Sequence, residues 1–142
     1  MSKFTLAHVV WDCKYHIVLV PKYRYSVFTK EVKDAVKEEI KKLCTWMRIE
    51  IIEGHVCKDH VHVCMAIPPK YAVSEVIGTI KGKTAIRLFR KFPELRKKYW
   101  GNHFWSRGYY TNTVGKNEDM IKAYIKDQDK LDRMENQGKL FQ

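Results

Sequence analysis

The stretch "KDHVHVC", residues 58–64, sets two histidines either side of one apolar residue. In an extended strand, side chains i and i+2 share a face, so His60 and His62 would stand side by side, about 7 Å apart at their Cα atoms. Such a pair either holds a cation jointly or supplies ordinary polar residues to a sheet face. Cys57 and Cys64 flank the pair and extend the donors to sulfur, the ligand chemistry of structural zinc. A flat strand argues against that: His60 and Cys64 would lie about 13 Å apart at Cα, too far to close a tetrahedron. Two imidazoles with the remaining positions filled by oxygen suit Mg²⁺ or Mn²⁺ and leave room for a substrate phosphate.

A second set lies near the C-terminus. Met120, Ile121, Tyr124, Ile125 and Gln128 recur at spacings of three and four, so Tyr124 and Gln128 share a helix face. One reading is a half-buried tyrosine with a glutamine at the edge of the stripe. The other makes Tyr124 a nucleophile and Gln128 an oxygen ligand. A phenol of pKa about 10 is only about a thousandth ionised near pH 7, so that chemistry needs a cation close by.

The third set is charge. "KGKTAIRLFRKFPELRKK", residues 81–98, carries eight Lys or Arg against the single acid Glu94. Phe89, Phe92, Tyr99, Trp100, Phe104 and Trp105 lie within it or just after. Cations track a phosphate backbone and exposed rings stack bases; the alternative is a solvated helix face above core aromatics. Over the whole chain 27 basic residues face 16 acidic ones, a net charge of +11. An excess of that size points to a polyanionic partner, nucleic acid before a membrane surface.

These residues need a frame. The length predicts one domain, residues 1–142, with a real core. "HVVWDCKYHIVLVPKYR" predicts a first strand, ended by Pro21. "KEVKDAVKEEIKKLCTWM" has Val32, Val36, Ile40, Leu43, Cys44 and Met47 at helical spacing. "RIEIIEGHV" and "DHVHVCMAI" predict two strands joined as a hairpin around Cys57–Asp59. Residues 73–92 predict a second helix, weakened by Gly78 and Gly82. "HFWSRGYYTNTV" predicts a fourth strand, and residues 117–137 a last helix capped by Asn117. The order βαββαβ plus a helix is an α+β, ferredoxin-like (split βαβ) pattern: an antiparallel sheet, helices on one face, and a C-terminal helix carrying the tyrosine. No apolar run is long enough for a membrane span. Asp12 and Lys14 interrupt the apolar N-terminal stretch, which therefore predicts a strand and not a signal peptide. Four cysteines without a secretory signal predict reduced thiols in a cytoplasmic protein.

"YHIVLVPKYR", "DHVHV", "IKGKTA", "FWSRGYYTNTVG" and "AYIKDQ", in this order and spacing, resemble the single-tyrosine HUH transposases of small prokaryotic insertion sequences that move as single-stranded DNA. The similarity runs from about His8 to Gln128. Cys64 departs from it, at a position where an aliphatic residue is more usual. The resemblance implies that His60, His62 and Gln128 are metal ligands and that Tyr124 attacks a DNA phosphate. It implies a 5′-phosphotyrosine link, a free 3′-hydroxyl, no nucleotide cofactor, and recognition of hairpins at the element ends. It further implies a homodimer in which one subunit's tyrosine helix completes the other's histidine pair. Lys81, Lys83, Arg87 and Arg107 are the expected DNA-backbone contacts. Two rivals keep the same fold: a related HUH nickase, and a non-catalytic RNA-binding module.

Overall fold

The computed structural model describes residues 4–6, 9–24, 26–99, 101, 103–115, 123, 125 and 126. Its elements are β1 (Phe4–Leu6), β2 (Val9–Trp11), β3 (Lys14–Leu19), α1 (Lys30–Met47), β4 (Glu50–Val56), β5 (Val61–Ala66), α2 (Val73–Lys91), α3 (Pro93–Lys98) and β6 (Tyr110–Val114). The main sheet has the order β4-β5-β3-β6, antiparallel at every pairing. This is the expected ferredoxin-like arrangement: the two sequence-adjacent hairpin strands lie to one side, and the first and last strands pair beside them.

The long first strand of the sequence reading is divided. β2 pairs with β1 in a separate two-stranded ribbon, and the chain joins the main sheet only from Lys14. The break falls at Asp12–Cys13, where the Asp12 carboxylate holds the Lys14 ammonium at 2.9 Å. The predicted fourth strand is shorter too. Only Tyr110–Val114 joins β3, because the preceding chain bends at Arg107–Gly108. There Gly108 takes φ +72, a conformation that favours glycine.

α1 matches its periodicity to the residue. Thr29 Oγ1 accepts from the Val32 amide at its start, and Arg48 closes it in the left-handed conformation with φ 59. Its buried stripe, Val32, Val36, Ile40, Leu43 and Met47, packs with Val76, Ile77, Ile80 and Leu88 of α2. Both helices cover one face of the sheet, against Ile17, Leu19, Val61, Val63 and Met65. Each fully buried side chain of this kind contributes about 1.5–3 kcal/mol, so an acid at Val36, completely buried, would break the layer.

Of the rings in and after the basic stretch, Phe89, Tyr99, Phe104 and Trp105 belong to this core, and Trp100 lies outside the described residues. Phe28, Phe89, Tyr99, Phe104 and Trp105 are buried, with ring centroids 4.9–6.1 Å apart. Trp105 Nε1 donates to Thr84 Oγ1 at 2.9 Å, which fixes the chain before β6 to α2. For these rings, core packing and not base stacking is the role.

Candidate metal centre

The helices cover the odd-numbered side chains of β3 and β5, so the even-numbered ones face the other way. That second face carries Lys14 and His16 from β3 and His62 and Cys64 from β5, with His60 just before the strand. His60 and His62 are 0% and 1% exposed, and Val61 between them enters the core, as its apolar character predicts. Their rings meet edge to face at 4.6 Å.

A tight turn positions the pair. The Cys57 amide donates to the His60 carbonyl at 2.8 Å, closing a hairpin whose loop is only Lys58 and Asp59. The Phe28 amide in turn donates to the Lys58 carbonyl at 3.1 Å, holding the loop against the entry to α1. In β4 the register shifts between Ile51 and Glu53, a bulge that lets Glu53 oppose Cys64 and His55 oppose His62. Gly54 fits beside β5 because a Cβ there would lie 3.2 Å from the His62 carbonyl oxygen.

The imidazoles are oriented from behind. His60 Nδ1 donates to Asp59 Oδ1 at 2.8 Å, which leaves the ligating lone pair on Nε2. His62 Nδ1 lies 3.3 Å from His16 Nε2, with the two rings stacked at 5.5 Å. Burial pushes the His16 pKa down, and a hydrogen bond with the Asn112 side chain acts the other way. A neutral His16 can accept the His62 Nδ1 proton, again leaving the lone pair on Nε2. Tyr110 stands edge-on to His16 at 6.1 Å.

This donor set suits a divalent cation. The ligand atoms of Cys57, His60 and His62 all lie within 4.8 Å of one another, and all three residues are buried. Histidines whose second nitrogen is fixed by a carboxylate or another base are the usual form of a metal-ligating pair. Sulfur is where the structure departs from the strand argument. Cys64 stays out of the group, packed with Val114 and Ile125 as a small hydrophobe. Cys57 enters it, because the turn folds it back beside His60, which flat-strand geometry could not reveal. His16 and Asp59 were also passed over. Their signals were a histidine on an alternating buried strand and an acid adjoining the first histidine.

The predicted last helix meets this same face at Ile125. Ala123, Ile125 and Lys126 are helical, Ile125 is completely buried against Cys64 and Val114, and Lys126 approaches Glu53 at 3.7 Å. Tyr124, Gln128 and the expected Asn117 cap lie outside the described residues.

The four expected DNA contacts fall into two groups. The Lys81 ammonium donates to the Ser106 and Gly108 carbonyls at 2.8 and 2.9 Å, with its pKa lowered by burial. It therefore holds the bend that presents Arg107, which is exposed. Arg107 lines a cleft of ≈ 400 Å³ with Val18, Tyr109 and Tyr110, beside His16. Lys83 and Arg87 lie about 200° of helix rotation from Lys81 or beyond. They line a separate cleft of ≈ 500 Å³ with Lys42, Arg90 and Lys91, and Arg87 reaches Glu38 only at 3.9 Å.

The fold is of the split βαβ class with a paired-histidine cluster on its second sheet face, and comparison with known proteins narrows it. The family described as "Transposase IS200 like" matches residues 9–128. The chain is 47% identical over 133 residues to the transposase for insertion sequence element IS200 of Salmonella typhimurium, covering 94% of this chain and 88% of that one. It is 32% identical over 120 residues to the ISDra2 transposase TnpA of Deinococcus radiodurans, covering 84% and 86%. A crystal structure of a Deinococcus radiodurans protein superimposes with TM-score 0.72 at 29% identity, covering 90% of this chain and 98% of that one. A REP-associated tyrosine transposase bound to a REP hairpin shares the fold, with TM-score 0.64 at 13% identity over 98% and 76% of the two chains. The chain belongs to the IS200-like transposase family. Among the described residues no helix is long and apolar enough to cross a membrane.

Proposed function

We propose that this transposase cleaves and rejoins single-stranded DNA at the ends of an insertion element, with Tyr124 as nucleophile and His60, His62 and Gln128 as ligands to Mg²⁺ or Mn²⁺. The observation that carries the reading is the buried His60–His62 pair, each Nδ1 engaged from behind, on the sheet face that Ile125 of the predicted last helix meets. Burying two imidazoles costs free energy unless their polar atoms are used.

When bound, the cation supplies Lewis-acid polarisation of the scissile phosphate and a template for in-line attack. The residues of the chain do the rest. Asp59 and His16 hold the two imidazoles in the tautomer that presents Nε2. The Tyr124 phenol gives up its proton and its oxygen bonds to phosphorus. The bond from phosphorus to the 3′ oxygen breaks, and that oxygen takes a proton and leaves as a hydroxyl. The product is a 5′-phosphotyrosine and a free 3′-hydroxyl. Attack by a 3′-hydroxyl on the phosphotyrosine restores a phosphodiester while the bond from phosphorus to the Tyr124 oxygen breaks and the phenol regains a proton, so no nucleotide cofactor is required.

The DNA partner is a hairpin-bearing single strand. The net charge of +11 supports it, as does the fold shared with the REP-associated enzyme bound to a REP hairpin. The assembly is a homodimer in which each tyrosine helix completes the partner's histidine pair, and the protein works in the cytoplasm, where element DNA resides. A labelled single strand carrying an element end and its hairpin tests the reading. The expected result is a covalent protein–DNA adduct on a denaturing gel, blocked by chelator, restored by Mg²⁺ or Mn²⁺, and absent with His60→Ala. Undiminished cleavage in metal-free buffer would sink the ligand assignment.

A further inference from the structure

We infer that Cys57 is a further metal-ligating side chain, which adds a sulfur donor to the proposed Mg²⁺ or Mn²⁺ centre and lets it also take thiophilic divalent cations such as Co²⁺ and Zn²⁺. This rests on the reading of His60 and His62 as ligands and adds a donor that the HUH motif does not contain.

The turn geometry leads to it. With a two-residue loop, Cys57 and His60 are the facing pair that closes the hairpin, so their side chains leave the ribbon on the same side. The next pair, Val56 and Val61, points to the opposite face, and the one after it, His55 and His62, returns to the first. Cys57 is therefore a direct neighbour of His60 and a diagonal neighbour of His62, and the three ligand atoms lie within 4.8 Å of one another. Tetrahedral zinc, with bonds of about 2.3 Å to sulfur and about 2.0 Å to nitrogen, holds its donors roughly 3.5 Å apart. The 4.8 Å limit is about 1.3 Å beyond that spacing.

The other cysteines sharpen the contrast. Cys44 is buried between the helices and the sheet, where burial pushes its thiol up to about 12, the behaviour of an inert core residue. Cys64 shares the metal face but packs against Val114 and Ile125. Among the described residues only Cys57 joins the histidines in a ligand cluster.

The chemistry follows from softness. Compared with nitrogen and oxygen donors alone, a thiolate ligand raises affinity for Co²⁺ and Zn²⁺ more than for Mg²⁺. Forming the sulfur–metal bond releases the thiol proton to solvent.

Co²⁺ titration of the reduced full-length chain tests this without any DNA reaction. The expected result is visible d–d bands accompanied by a near-ultraviolet thiolate-to-cobalt charge-transfer band, both displaced by Zn²⁺. Cys57→Ser should lose the charge-transfer band, keep the d–d bands, and bind Co²⁺ at least about tenfold more weakly, the least that losing even an outer-shell partner costs. Cys64→Ser should keep both. The d–d bands without charge transfer in the unmodified chain would overturn the sulfur ligand and leave the two-histidine centre standing. A charge-transfer band that survives in Cys57→Ser would overturn it too. Absence of any Co²⁺ spectrum would overturn the histidine centre along with it. The unmodified chain's own spectrum decides the matter if the serine variant fails to fold.

Discussion

His16 on β3 and His62 on β5 stack face to face at 5.5 Å, with His16 Nε2 only 3.3 Å from His62 Nδ1. The strand register sets the two residues diagonally, since His16 pairs with Cys64 and His62 with Val18. In the proposed centre His16 would act on the cation through the His62 ring that it backs. His16→Phe keeps the stacking surface and removes the acceptor. The variant should fold normally and bind Mn²⁺ or Co²⁺ about 10–100-fold more weakly. Titration calorimetry checks this, and unchanged affinity would remove His16 from the centre.

His16 also predicts a pH dependence of stability. Burial lowers its pKa in the folded chain, the hydrogen bond with Asn112 opposing in part. The unfolded chain then binds more protons between the folded pKa and the ordinary value of about 6.5. Stability is fully present above that ordinary value and is lost as pH falls towards the folded pKa. Denaturant melts of metal-free protein should show this fall, and His16→Phe should flatten it. An identical slope in both proteins would assign the dependence to other groups.

Asp59 fixes His60 through a 2.8 Å hydrogen bond at the tip of the hairpin. Asp59→Ala should leave the fold intact, weaken cation binding by about tenfold or more, and reduce adduct formation in proportion. Full activity at limiting cation concentration would mean that the turn alone orients His60.

Gly82, between Lys81 and Lys83, has nothing within 4 Å of where a Cβ would stand, and neither has Gly78. Neither glycine is required by packing, so each costs α2 about 0.5–1 kcal/mol relative to alanine. Gly78→Ala and Gly82→Ala should both raise the melting temperature. If DNA backbone lies against "KGK", Gly82→Ala alone should also weaken binding of the hairpin strand. Equal affinity for both variants would move the interface elsewhere. Binding should fall with salt at a log–log slope of about −0.7 per phosphate contacted.

The proposed sharing of sites between subunits predicts complementation. His60→Ala and Tyr124→Phe should each be inactive alone. A heterodimer formed by subunit exchange has one site with both lesions and one with neither. Cleavage should return, and the adduct should sit only on the His60→Ala chain, where a size tag reveals it. An inactive mixture, with exchange verified by mass, would place each site within one chain in that state.

Much of the framework was legible in the sequence because it is written in local periodicity. The α1 stripe from Val32 to Met47, the alternation through His60, Val61 and His62, and the turn between the two hairpin strands each depend on neighbours within a few residues. Side-chain period and turn chemistry suffice to read them. The family motifs lay along the same elements and pointed to the same histidines. What the tertiary structure alone decided were relationships across the sheet and around the turn. Strand pairing brought His16 against His62, forty-six residues away, and set Tyr110 beside it. A two-residue loop swung Cys57 back to the histidines, while the strand carried Cys64 away to Ile125. Helix rotation turned Lys81 inward to two carbonyls and left Lys83 and Arg87 on another side. Composition counts a cation or a thiol wherever it falls along the chain. Only the fold fixes the direction in which each side chain leaves the backbone, and these three-dimensional neighbours follow from that direction.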